Sequence, residues 1–117
     1  MGKLTTHVLD TSAGTPAAGM RVDFAVLGTS GVQPVRTMYT NAAGRTDEPL
    51  LAHGAMRAGE FELTFHVADY FRRQGSVLAD PPFLDRVPIR FAIADAGAHY
   101  HVPLLCSPWA YSTYRGS

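Results

Sequence analysis

The segment EFELTFHV, residues 60–67, decides the fold class. Phe61, Leu63, Phe65 and Val67 alternate with Glu60, Glu62, Thr64 and His66. An apolar side chain at every second position marks a strand with one buried face and one wet face. The spacing predicts a strand over 60–67. Val22, Phe24 and Val26 repeat the pattern in 20–28. Val87, Ile89, Phe91 and Ile93 repeat it in 86–94, with Arg86 and Arg90 on the other face. Shorter candidates run from Leu4 to Leu9, Val35 to Thr40, Arg45 to Leu51, Tyr100 to Cys106 and Ala110 to Arg115. Gly- and Pro-containing turns separate them at 13–16, 28–31, 41–44, 96–97 and 107–108. Roughly seven or eight short strands at this spacing imply an all-β sandwich.

One segment departs from period two. Ala68 to Gln74 shows no alternation and is followed by Gly75, which suits the position just past a short helix. Residues 78–82 then read as loop. Pro103 lies inside a strand candidate. Proline cannot donate to a ladder, so a free edge or a bulge is expected there, and pairing between chains is one way to manage such an edge.

The chain has 117 residues, 46% apolar and 17% charged, which suits one domain, residues 1–117, with a packed core. Ten basic and ten acidic side chains give a net charge of 0. No basic stripe favours nucleic acid, and the near-neutral charge is compatible with self-association. No run approaches the ~20 apolar residues of a membrane helix. The opening MGKLTTHVLD holds no run of signal-peptide length, so a cytoplasmic protein is expected. The single cysteine, Cys106, permits no intrachain disulfide and reads as a small buried hydrophobe.

Five histidines, His7, His53, His66, His99 and His101, supply the side chain best suited to proton exchange near neutral pH. Each alone is by default a hydrogen-bonded polar residue. His99 and His101 would share one strand face and could chelate a metal, but no third ligand is evident in the sequence. Arg45 follows the turn 41–44. It reads either as a solvated charge or as a fixed guanidinium for an anion or oxyanion. Asp10, Asp47 and Asp95 read as turn or capping residues. No nucleophile elbow or phosphate loop is present.

Three motifs carry a resemblance. They are LTTHVLD (4–10) followed by GTPA (14–17), TNAAGRTD (40–47), and HYHVPLL (99–105) followed by SP (107–108) and YSTYRGS (111–117). Their order and spacing over essentially the whole chain resemble the transthyretin-related proteins. The closing Tyr-Arg-Gly-Ser resembles the enzymatic branch, the 5-hydroxyisourate hydrolases. Cys106 stands where a larger aliphatic residue is expected, which bears on local packing only.

The resemblance implies a transthyretin-like sandwich of two four-stranded sheets with one short helix. It implies a homotetramer, a dimer of dimers, with active sites in a channel between dimers. The implied reaction is hydrolysis of 5-hydroxyisourate to 2-oxo-4-hydroxy-4-carboxy-5-ureidoimidazoline in urate degradation, with no metal or organic cofactor. The implied catalytic residues are His7, Arg45, His101 and Ser117. His7 and Arg45 also bind substrate, together with Tyr114, Arg115, Gly116 and Ser117. His99 flanks the motif without an implied role. The tail thus becomes part of the site, and a C-terminal extension is expected to impair catalysis more than folding. The alternative is a non-catalytic carrier of a small aromatic ligand on the same sandwich.

Overall fold

The computed structural model describes residues 2–52 and 54–116. Its elements, in chain order, are β1 (Leu4–Asp10), β2 (Thr15–Pro16), β3 (Arg21–Gly28), β4 (Gly31–Tyr39), β5 (Gly59–Phe65), α1 (Val67–Arg73), β6 (Val87–Ile93), β7 (Tyr100–Cys106) and β8 (Tyr111–Thr113). The strands form two four-stranded sheets, ordered β2-β1-β7-β8 and β4-β3-β5-β6. The expected sandwich with one short helix is what the chain builds.

The inner faces follow the alternation. Phe24, Phe61, Leu63 and Phe65 from one sheet meet Leu4, Val8 and Leu104 from the other, all at most 1% exposed. Burying each such side chain contributes about 1.5–3 kcal/mol. The outer positions of β1 and β7 (Thr5, His7 and Leu9; His101 and Leu105) are half-buried. β1 and β7 run parallel, with Thr5 opposite His101 and His7 opposite Pro103.

β5 ends at Phe65 rather than Val67, because the apolar pattern changes period there. Val67, Ala68, Tyr70 and Phe71 are buried at helical spacing, so Val67 opens α1. His66 is the junction, with its Nε2 2.8 Å from Asp23 Oδ2. Past Arg73, Gly75 N–H donates to Arg72 O and Ser76 N–H to Phe71 O, at 3.0 Å each, which closes the helix as expected. β4 starts earlier than its apolar pattern suggests and contains Pro34. Phe24 faces Arg36 while Ala25 faces Pro34, so Val35 is an extra, bulged residue on an edge strand. A bulge at an edge is where proline is tolerated.

Residues 45–51 do not form the expected strand. Arg45 bridges His7 and Leu51 bridges Leu4, and the chain loops out between them. Thr46 Oγ1 donates to Glu48 O at 2.5 Å, and Pro49 has no amide hydrogen to offer. The exposed pair Thr15–Pro16, read as turn, instead completes the edge of β1 by pairing with Leu9 and Asp10.

Pro103 is not on a free edge strand, since β7 is flanked by β1 and β8. The interruption it causes is local. β8 pairs with Leu104, Leu105 and Cys106, and pairing resumes in the same register at His101–Gly116. At Pro103 the missing donor leaves a gap, where its carbonyl accepts from Thr113 Oγ1 at 2.7 Å. Cys106 is buried as expected. Burial, with the nearby Asp10 charge, pushes its thiol up to about 12, far from a reactive thiolate.

Candidate active site

Four chain segments bring the polar residues of the first and last strands together. Arg45 pairs with His7 on the outer edge of β1, β1 pairs with β7, and His101 on β7 pairs with Gly116. Arg45, His7, His101 and Gly116 therefore follow one another across the sheet. The His7 and His101 rings lie 6.5 Å apart, centroid to centroid, and are tilted by 40°.

The turn before Arg45 is built to deliver it. Asn41 Oδ1 accepts from the amides of Ala43 and Arg45 at 2.9 and 3.2 Å, an Asx-type turn. Gly44 has φ +75°, and its carbonyl accepts from Val8 N–H at 2.8 Å. A Cβ at Gly44 would lie 2.4 Å from Val8 O and 3.3 Å from His7 Cδ2. Only glycine lets this turn sit against β1.

Neighbouring acids are occupied elsewhere. Asp47 accepts from Asn41 Nδ2 at 3.0 Å, and Glu48 pairs with Arg36 at 3.5 Å. Among the described residues no carboxylate lies within ion-pair distance of Arg45. A shallow depression of about 250 Å³ beside it is lined by Lys3, Thr5, Arg45 and Asp47, among others.

His101 is the perturbed imidazole. Burial, then the Arg45 charge, then His7 hold its pKa below the ordinary value of 6.5. It is therefore neutral at pH 7 and able to accept a proton. Its Nδ1 lies 2.8 Å from Thr5 Oγ1. Thr5 was not singled out in the sequence, because the contact depends on parallel pairing of residues 96 positions apart.

The tail divides. Gly116 N–H donates to His101 O at 2.8 Å and sits against the ring. Arg115 turns away, with its guanidinium 4.1 Å over the Tyr100 ring and Nη2 donating to His99 O at 3.2 Å. Tyr114 is 60% exposed and lines a 240 Å³ groove between β6 and β8 with Arg115, Phe91 and Tyr100. Ser117 and His53 lie outside the described residues. His99 is exposed ahead of β7. The imidazole that His101 meets is His7 rather than His99. Among the described residues, no three His, Cys, Asp or Glu side chains converge as a metal cluster, and no helix is long and apolar enough to cross a membrane.

Comparison with known proteins agrees with the three motifs. The model of the HIUase/transthyretin family matches residues 4–116. The 5-hydroxyisourate hydrolase of Ralstonia nicotianae is 56% identical over 117 residues, covering 100% of both chains. The crystal structure of (S)-allantoin synthase superposes with a TM-score of 0.92 at 44% identity. That match covers 99% of this chain, which spans 44% of the synthase chain. Sea bream transthyretin in complex with thyroxine gives a TM-score of 0.86 at 27% identity, over 97% of this chain and 94% of that one. From motif order, sandwich topology and these matches, the chain belongs to the HIUase/transthyretin family.

Proposed function

We propose that this chain hydrolyses 5-hydroxyisourate to 2-oxo-4-hydroxy-4-carboxy-5-ureidoimidazoline, a step of urate degradation. The observation that carries the reading is Arg45, with no carboxylate partner among the described residues, beside two neighbouring imidazoles, one of which is held neutral. The substrate is a small, planar, carbonyl-rich ring of acidic character, and a free guanidinium suits its oxygens.

Water attacks the lactam carbonyl while a neutral imidazole takes its proton. A C–O bond forms, and the carbonyl electron pair moves onto oxygen, where Arg45 stabilises it. Collapse breaks the ring C–N bond, and the imidazolium returns its proton to the departing nitrogen. The products of this balance are a carboxylate and a freed N–H. General base catalysis of this kind contributes ~10²–10⁴ in rate. Loss of one oxyanion donor costs ~10²–10³. The step draws only on water, imidazole and guanidinium. His7 and His101 share the proton transfers, and Ser117 binds substrate or water through its hydroxyl.

The row lies on the open outer face of the β2-β1-β7-β8 sheet. A homotetramer, a dimer of dimers, would cover that face with a second copy and exclude bulk water. A monomer by light scattering at micromolar concentration overturns this part. A carrier on the same sandwich has no need of an arginine beside a neutral imidazole, and the relative with the higher identity is a hydrolase.

The decisive experiment follows decay of freshly made 5-hydroxyisourate by ultraviolet absorbance. Arg45→Ala and His101→Ala are expected to lower kcat at least about 10²-fold with the fold intact by circular dichroism. Wild-type rates in both variants overturn the reading. Tight binding of an aromatic ligand without hydrolysis supports the carrier instead.

A further inference from the structure

Both flanks of the His101 ring are taken by the chain itself. Nδ1 lies 2.8 Å from Thr5 Oγ1, the only side-chain hydrogen bond of either residue among the described ones. On the other edge sits Gly116, where a Cβ would come within 2.6 Å of His101 Cδ2 and 3.2 Å of Cγ and Cβ. The gap is closed to any residue but glycine. Turning the ring by 180° about χ2 would put Cδ2 against Thr5 Oγ1 and lose that hydrogen bond. Among the described residues, nothing hydrogen-bonds the other ring nitrogen, Nε2.

We propose that Thr5 is a positioning residue for His101. Its hydroxyl oxygen accepts the Nδ1 proton, so the lone pair sits on Nε2 and points into the site, and the flipped ring would forfeit that bond. This rests on His101 acting as the base in the proposed hydrolysis, since a base at Nε2 requires the proton at Nδ1. The hydroxyl keeps its own hydrogen for solvent or substrate, as a hydroxyl both donates and accepts. Thr5 reaches His101 only because β1 and β7 pair in parallel with these two residues opposite each other on the outer face.

Two substitutions isolate the contact. Thr5→Val preserves shape and strand propensity but removes the hydroxyl. Thr5→Ser keeps the hydroxyl. The ¹⁵N shifts of His101 report its tautomer directly, whether or not the protein is active. In the wild type the ring nitrogen signals should show Nδ1–H. In Thr5→Val the population should move to Nε2–H, the form an unrestrained imidazole prefers. The value of kcat should then fall about tenfold to a hundredfold with KM little changed, as misorientation of a reacting group does. Thr5→Ser should restore both. Gly116→Ala should displace the ring and broaden or split its signals without altering the Thr5 side chain.

An Nε2–H tautomer in the wild type, or an unchanged tautomer in Thr5→Val, overturns the proposal. A shifted tautomer with an unchanged rate overturns the assignment of His101 as base while leaving Thr5 as the group that orients its ring. The failure of this inference and that of the proposed hydrolysis are therefore distinguishable.

Discussion

Gly44→Ala tests how finely the turn before Arg45 is set. The native φ of +75° is left-handed, which costs an alanine about 1–2 kcal/mol. Lower entropy of the unfolded chain returns about 0.4–1 kcal/mol. The new methyl would lie 2.4 Å from Val8 O, a distance no Cβ tolerates, so the turn must move off β1. The Val8 N–H to Gly44 O bond is then lost or lengthened, at about 1 kcal/mol. The sum is a destabilisation of about 1–2.5 kcal/mol, or roughly 4–10 °C in Tm for a domain of this size. Arg45 moves with the turn, and a shift of 1 Å at such a group can cost ~10² in rate. Gly14→Ala supplies the control. Its φ is +72°, nearly identical, yet nothing lies within 4 Å of the added Cβ. It carries the backbone strain without the collision and leaves Arg45 in place. Thermal unfolding and the 5-hydroxyisourate decay assay on both variants separate the two effects. Equal Tm and equal rate in the two variants would refute the reasoning.

Two further expectations follow from the electrostatics. Arg45→Gln removes a charge that helps hold His101 below its ordinary pKa, so that pKa rises. Because the base works unprotonated, the acid limb of the kcat/KM profile should move to higher pH, and a stationary or downward-moving limb contradicts the assignment. Tyr70→Phe removes the hydroxyl that donates to Asp10 Oδ2 at 2.8 Å inside the core and should cost about 1–3 kcal/mol. Burial pushes the Asp10 carboxyl up, but hydrogen bonds from Ser12, Tyr70 and Ala13 outweigh it and leave its pKa lowered. A lowered folded pKa stabilises above the unfolded value and is lost as pH falls through the folded one. The Tyr70→Phe penalty should therefore be full at pH 7 and shrink as the pH falls below the ordinary carboxylate range in urea titrations. A penalty that grows in acid rules this out.

The strands that lay one face on the core were legible in the sequence. Tyr100–Cys106 and Val87–Ile93 follow their alternation closely, because burial on one face imposes period two. Val67 misled because a helix that opens on a buried residue continues the alternation by one step. Arg45–Leu51 misled because its end residues touch β1 while its middle does not, and local pattern cannot reveal a looped-out middle. Pro103 signalled a broken ladder correctly but not which side was broken, since that depends on the neighbour β8. Within the site, His7, Arg45 and His101 stood out as residue types. Their adjacency, and the contact with Thr5, came from the parallel β1–β7 pairing, which no local spacing encodes. Arg115 belongs to the same tail as Gly116 yet faces Tyr100. Alternation along the last strand separates neighbours onto opposite faces, so a motif contiguous in sequence is split in space.

The β1–β7 pairing also sets an order of events during synthesis. Thr5 and His101 are 96 residues apart. At roughly 5–20 residues per second, the first strand leaves the ribosome on the order of 5–20 seconds before its partner exists. The β3–β4 hairpin closes through short-range contacts and β5 can join it meanwhile, whereas β1 has β2 and the bridges to Arg45 and Leu51 along one edge and no partner along the other. The chain therefore acquires the face that carries His7, Arg45 and His101 as the closing step of folding. A nascent or prematurely terminated chain lacking β7 presents the LTTHVLD strand as an open template for pairing with other chains.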